Sequence, residues 1–257
     1  MNPIAFIGKK LIKFSFHLGR MVKLFWEVLR AVPDFRTYAK PLIRQMLLIG
    51  NRSLIIIFFI SILAGMTISL QTAYNLQSYA PLYFLGSTME KTILLEFGPL
   101  LAAFILVGKV GATIAAELGT MRVTEQIDAL ESLAFNPVSY LILPRVAAGM
   151  IMVPVLTIFA DAIGITAGWL TSMAKTNVTT HQFFYGFKSV YQTFDLNFGL
   201  IKAVFFGLTI TFVSCYEGYY ASQGAEGVGK AATNSVVIAS IVILVVDYFW
   251  ASALLGF

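Results

Sequence analysis

Along most of this chain apolar residues follow one another without the alternation that marks a half-buried surface, and the interruptions carry the information. A bilayer core of about 30 Å needs about 20 residues of helix. Five apolar runs meet that length, at residues 53–74, 92–118, 140–170, 198–221 and 233–255. The second and third exceed it, so they are expected to tilt or to protrude. Ahead of them the pattern changes. Ile4, Ile7, Leu11, Phe14, Leu18, Met21, Phe25 and Val28 recur at steps of three and four, while Lys9, Lys10, Lys13, Arg20, Lys23 and Arg30 fill the remaining arc. Such a stripe forms either an amphipathic helix lying in a membrane interface or a coiled-coil seam, and a basic face beside a membrane domain favours the interface. A later segment sets Phe183, Phe187, Val190 and Phe194 on one face, which reads as an interfacial helix rather than a sixth span. The expected fold is thus an all-α polytopic membrane protein: a basic interfacial region at 1–52 and a five-span domain at 53–257.

Composition agrees. Hydrophobic residues make up 58% and charged residues 12% of 257 residues, with a mean hydropathy of +0.80, values that exclude an ordinary soluble domain. The net charge is +5, but ten of the eighteen Lys and Arg fall at or before Arg52, so an anionic membrane surface, not nucleic acid, is the expected partner. That basic end belongs in the cytosol by the positive-inside rule, and five crossings then put the C-terminus outside. Loops 119–139 and 222–232 become cytosolic, and 75–91 and 171–197 become external. No cleavable signal peptide is expected, because the first forty residues lack a continuous apolar core.

Candidate chemistry is sparse. One cysteine, Cys215, allows no internal disulfide, and His17 and His181 are too isolated for a metal site. No Ser-His-Asp set or HExxH helix is present, so no catalytic residue is assigned. GAEGVGKA, residues 224–231, has the glycines and lysine of a phosphate loop, but Ala231 replaces the magnesium-binding hydroxyl, and an apolar run precedes it where a strand is needed. This chain is not expected to hydrolyse ATP or to hold a cofactor. Glu96, Lys202 and Asp247 do stand out, because each falls inside a span, where an ionised side chain costs about 2.5–3.5 kcal/mol on insertion scales. Counting about 1.5 Å per residue puts all three in the outer half, within reach of one polar cluster. That cluster is either functional or an ion pair that fixes helix register. Lys109 and Asp161 are expected to reach headgroups. Gly111, Ala115 and Gly119, and likewise Ala160, Gly164 and Gly168, are spaced by four and permit close helix contact, within one chain or between two.

Between the second and third runs lies TEQIDALESL, in which Ile127, Leu130 and Leu133 share one helical face and Glu125, Asp128 and Glu131 another. Taken alone it is a docking helix at about 120–134 or a solvated connector. Its wider context, GKVGATIAAELGTMRVTEQIDALESLAFNPVSYLILPR, closely resembles the signature of the permease family of Mla-type lipid ABC transporters (MlaE/YrbE-type). ISLQ at 68–71, LLEFGP at 94–99, IKAVFFG at 201–207 and GVGKAAT followed by VVDY extend the resemblance over essentially the whole chain.

The resemblance implies a non-catalytic subunit of the bacterial inner membrane that works as a homodimer. It also implies two cytosolic ABC ATPase subunits carrying the ATP and magnesium, a small cytosolic accessory subunit, a periplasmic hexamer of mammalian-cell-entry (MCE) domains, and a phospholipid substrate. By the same resemblance Glu125, Gln126, Asp128 and Leu130 belong to the helix that couples to the ATPase. Glu96, Lys202 and Asp247 match polar positions near the lipid cavity, and Leu70, Gln71 and Phe97 match its apolar wall. Family members often carry arginine before the glutamate, where this chain has Leu95. The competing classes are an ion-coupled secondary transporter or channel using the intramembrane charges, and a membrane scaffold without transport.

Overall fold

A backbone surrounded by lipid must satisfy its own hydrogen bonds, so runs this apolar have the helix as their stable local solution. The computed structural model describes residues 3–33, 35–76, 81 and 83–255, with the side chains of 3–11, 13, 14, 35–37, 254 and 255 excepted. The predicted positions Ile4, Ile7, Leu11, Phe14, Lys9, Lys10 and Lys13 therefore lie outside the described side chains. Helices α1 (Pro3–Ala31) and α2 (Phe35–Leu76) are followed by α3 (Phe84–Val123), α4 (Gln126–Ser132) and α5 (Val138–Lys175). Then come α6 (Thr180–Val190), α7 (Thr193–Tyr219) and α8 (Gly224–Leu255). No strand occurs among the described residues. Five helices, α2, α3, α5, α7 and α8, are long and apolar enough to cross a membrane, matching the five predicted runs.

Their bounds are wider than hydropathy suggested. α2 begins at Phe35 and runs unbroken through residues 52 and 53, where the interfacial region was expected to end. α3 begins at Phe84, inside the expected outer loop, and α8 begins at Gly224, inside the expected inner one. Polar residues end an apolar window without ending a helix, because helical propensity and packing continue past the last apolar turn. The phosphate-loop look-alike at 224–231 is accordingly the opening of α8.

α7 is the most buried span and α8 the least, so α7 is the axis on which α3, α5 and α8 pack. α2 lies along α5, and the two approach closely at Gly65 and Gly164: a Cβ on residue 65 would stand 2.1 Å from the Gly164 carbonyl oxygen. The two small-residue stripes turn out to serve packing inside the chain. Gly111 faces Ser214 and Gly119 faces Ala221 and Val228, while Gly164 faces Ser61 and Ile93 and Gly168 faces Met89.

α3 is not a uniform helix. It widens into π turns at Ile93–Phe97 and Val107–Gly111, and α5 opens with another at Val138–Ile142. Such single wide turns commonly mark functional positions. α1 lies against the bundle through Met21, Leu24, Val28 and Ala31. Phe25 meets Phe212 edge-on at 5.4 Å, and the Tyr216 hydroxyl donates to the His17 carbonyl at 3.1 Å. Of the expected apolar stripe Leu18 is exposed, and Leu24, not predicted, is fully buried. The reason is that α1 is apolar twice over. Ile12, Phe16, Val22 and Trp26 form a second, exposed face roughly opposite the buried one, with Lys23 and Arg30 interspersed among them. α6 packs against the start of α3 with Phe183 buried at the contact, while Phe194, expected on the same face, belongs to α7 and is exposed.

Candidate functional site

Lys202 is the one lysine in the interior of α7. Its side chain is 0% exposed and its Nζ lies 2.8 Å from Glu96 Oε2 on α3 and 2.5 Å from Asp247 Oδ1 on α8. A third contact, at 3.2 Å, donates to the Leu95 carbonyl, and the Phe198 ring centroid is 5.0 Å away. Three helices are thus tied through one ammonium, as a buried charge requires: it persists in an apolar bundle only when paired and hydrogen-bonded. The Leu95 carbonyl is offered from the π turn that also carries Glu96 and Phe97. Residue 95 thus serves the site through its backbone and not its side chain.

The cluster is graded in exposure. Lys202 is sealed, Asp247 is 17% exposed and Glu96 is 38% exposed, so the glutamate is the member that meets the surroundings. Phe97 beside it is also exposed and lines a crevice with Gly65 and Ile68 of α2. One carboxylate more than the cation leaves the cluster formally negative. It therefore offers acceptor oxygens to an ammonium or hydroxyl.

Leu70 and Gln71 are exposed on α2 and make no side-chain bond to this cluster. Leu70 stands one turn beyond Met66 on the stripe Phe58, Ile62, Met66. That stripe forms one wall of a 610 Å³ apolar groove whose other wall is α5. The structure thus brings Glu96, Lys202 and Asp247 together as expected, sets Phe97 next to them, and leaves Leu70 and Gln71 apart on an outward face of the single chain.

At the opposite end of the bundle α4 is shorter than the expected helix at 120–134. Glu125, its N-cap, takes a left-handed backbone (φ 57), and Ala134 another (φ 59). Ile127 is buried and Leu130 half-buried, but Leu133, beyond the helix end, is 69% exposed. Glu125, Gln126 and Asp128 are exposed. Asp128 accepts from Arg122 Nη1 at 2.6 Å, and Glu131 accepts from the Tyr219 hydroxyl at 3.3 Å. Nearby, burial raises the Tyr220 phenol above its ordinary range, with Glu27 adding to the effect and Arg20 and Arg122 opposing it.

One expectation about peripheral charges is overturned. Asp161 does not reach headgroups: it is 4% exposed, and its Oδ1 lies so close to Gly98 that a Cβ there would stand 1.6 Å away. Lys109, half-buried, donates to the Arg52 carbonyl. Several polar groups that sequence reasoning passed over are as deeply placed. Glu90 is fully buried near Asp195 and Lys91, and Asp195 accepts from Lys91 at 2.6 Å while capping Gln192 N at the start of α7. Arg145, also buried, holds Glu117 at 3.2 Å and the Leu141 carbonyl at 2.7 Å. All of these lie in or beside apolar runs, so the reasoning that found Lys202 could have found them.

Five apolar helices, three of them tied by a buried ammonium and two carboxylates, define a polytopic α-helical membrane protein with a polar site inside its spanning region. The family can be stated more closely. The family model for Permease MlaE matches residues 42–253, and the chain belongs to that family of ABC transporter permeases. A probable ABC transporter permease protein of Rickettsia typhi is 35% identical over 248 residues, 96% of each chain. The intermembrane phospholipid transport system permease protein MlaE of Haemophilus influenzae is 34% identical over 257 residues, 100% of this chain and 98% of that one. A probable ABC transporter permease protein of Synechocystis is 31% identical over 238 residues, covering 91% and 90%.

Proposed function

We propose that this chain is the permease subunit through which an ATP-driven complex of the bacterial inner membrane moves phospholipid to or from a periplasmic ring of MCE domains. The observation that carries the reading is the Lys202 cluster: a sealed cation holding two carboxylates, with the half-exposed Glu96 and the exposed Phe97 on its open side. Glu96 supplies an acceptor for a polar headgroup, while Phe97 and the apolar stripe through Leu70 supply a wall for acyl chains. The relative from Haemophilus influenzae, named for intermembrane phospholipid transport, supports lipid as the cargo.

Two copies are required to enclose such a cargo, because Phe97, Leu70 and much of α8 are open in one chain. The N-terminus then faces the cytosol and the C-terminus the periplasm. ATP and magnesium belong to two partner ATPase subunits. Each subunit grips α4 through Glu125, Gln126, Asp128 and Leu130, and closure of the ATPase pair shifts the bundle between states that hold lipid unequally. The chain itself contributes no bond-making step.

The test is reconstitution with and without the ATPase subunits in liposomes carrying a fluorescent phospholipid. ATP-dependent lipid transfer that fails in Lys202→Ala is the expected result. Transfer that proceeds without the ATPase and follows an imposed ion gradient would replace this reading with an ion-coupled transporter using the same three charges.

A further inference from the structure

A second polar cavity lies at the other end of the bundle, and neither the Lys202 cluster nor α4 accounts for it. It measures 440 Å³ and opens between α2, α3 and α5. Its polar wall consists of Lys40, Arg44, Gln45, Glu117, Tyr140 and Arg145, and Leu48 and Met121 contribute to its apolar side. Three cations thus surround a single carboxylate. Among the described residues Lys40 and Arg44 make no ion pair, and Glu117 is engaged by Arg145. Arg145 is the built element of the site. Its side chain is 6% exposed, its two terminal nitrogens are held by Glu117 and the Leu141 carbonyl, and its Nε is buried with no partner among the described residues. A neighbouring 130 Å³ cavity shares Gln45, Leu48 and Glu117 and adds Arg52 and Lys109 to the cationic lining.

From this arrangement we infer a binding site for the phosphate group of an anionic lipid, distinct from the Lys202 cluster and at the α4 end of the bundle. Guanidinium and ammonium groups converging on one cavity match a phosphate, which offers several strong acceptor oxygens and negative charge. The excess of cations over the single carboxylate is neutralised when the anion enters. The cavity is amphipathic, and Ile43 and Leu47, on the same turns of α2 as Lys40 and Arg44, are exposed. A ligand with its phosphate among the cations therefore finds apolar surface for the rest of its length, which a soluble phosphate would not use. The site does not depend on the proposed function. A lipid held here tethers the start of α2 whether or not it is ever transported.

The test uses the purified full-length chain in a neutral detergent and phosphatidic acid carrying a photoactivatable group beside the phosphate. Crosslinks are expected in residues 38–48 and 140–145, and phosphatidic acid should be retained in preference to phosphatidylcholine. The double variant Lys40→Glu, Arg44→Glu removes two exposed cations without touching the buried Arg145, and it should bind phosphatidic acid about tenfold more weakly or worse. Glu117→Gln keeps an acceptor for Arg145 and should bind more tightly. Crosslinks confined to the Lys202 end, unchanged affinity in the double variant, or equal retention of phosphatidylcholine would overturn the inference. Displacement by inorganic phosphate as effective as by the lipid would assign the cavity to a soluble phosphate and overturn the lipid reading.

Discussion

The two polar sites of this bundle have opposite character. At the Lys202 end a single cation serves two carboxylates, and every atom of that cation is sealed from the surroundings. At the α4 end three cations serve a single carboxylate, and two of those cations are exposed. In the first the cation is satisfied, bonded to Glu96 and the Leu95 carbonyl and paired with Asp247, and the surplus is of acceptors, which Glu96 presents to the surroundings. In the second the surplus is of donors. A sealed, fully paired cation can hold helices together, whereas a surplus at the edge of a cluster calls for a ligand of opposite character. The bundle is therefore stitched through its sealed cation at the acidic end and left open at the basic one.

The largest effect should come from unpicking the stitch. Lys202→Met leaves Glu96 and Asp247 without their cation and should destabilise the fold by about 3–5 kcal/mol, the usual range for breaking a buried ion pair. Fluorescence-detected thermal unfolding of the solubilised chain measures this. The triple variant Lys202→Met, Glu96→Gln, Asp247→Asn should regain most of the lost stability without regaining lipid transfer. Recovery of both would reduce the cluster to a register pin.

Arg145→Met is expected to be milder, at about 2 kcal/mol, the scale of lost hydrogen bonds to a charged group. Its partner Glu117 is 41% exposed and can turn to solvent, an escape that Asp247 lacks. Equal losses at the two sites, read in the same unfolding assay, would erase the contrast. Smallest of all in stability is the charge reversal Glu125→Lys, Asp128→Lys on the exposed surface of α4, expected to stay within about 0.5 kcal/mol. Its effect belongs to coupling: the lipid-stimulated ATPase rate of the complex should fall to its unstimulated level while the chain stays folded. Unchanged stimulation would remove α4 from the coupling role.

How much of this could be read in advance depends on whether the signal is local. The span count could, because hydropathy over about twenty residues measures the solvent each run tolerates. The Lys202 cluster could, because a charge in an apolar run must find partners and only a few were within reach. Its geometry was hidden, since Glu96 and Lys202 are 106 positions apart and a π turn decides which way residues 95 to 97 face.

The basic cavity escaped for a different reason. Lys40 and Arg44 read as part of an interfacial segment because polar residues interrupt the apolar window there, yet α2 runs straight through them. The place of Asp161 is not legible in the sequence, because no periodicity announces that a glycine on another helix, Gly98, makes room for a carboxylate. In α4 the 3.6-residue pattern correctly put Ile127 inward but could not foresee that the helix stops at Ser132 and releases Leu133.

The wide turn at Ile93–Phe97 spends roughly one residue more on a rotation than an α turn does. Deleting a single residue between Ile93 and Leu95 would therefore let the coil close as ordinary α-helix with the faces on either side still in register. What such a shortening would alter is the wide turn itself, from which the Leu95 carbonyl reaches Lys202.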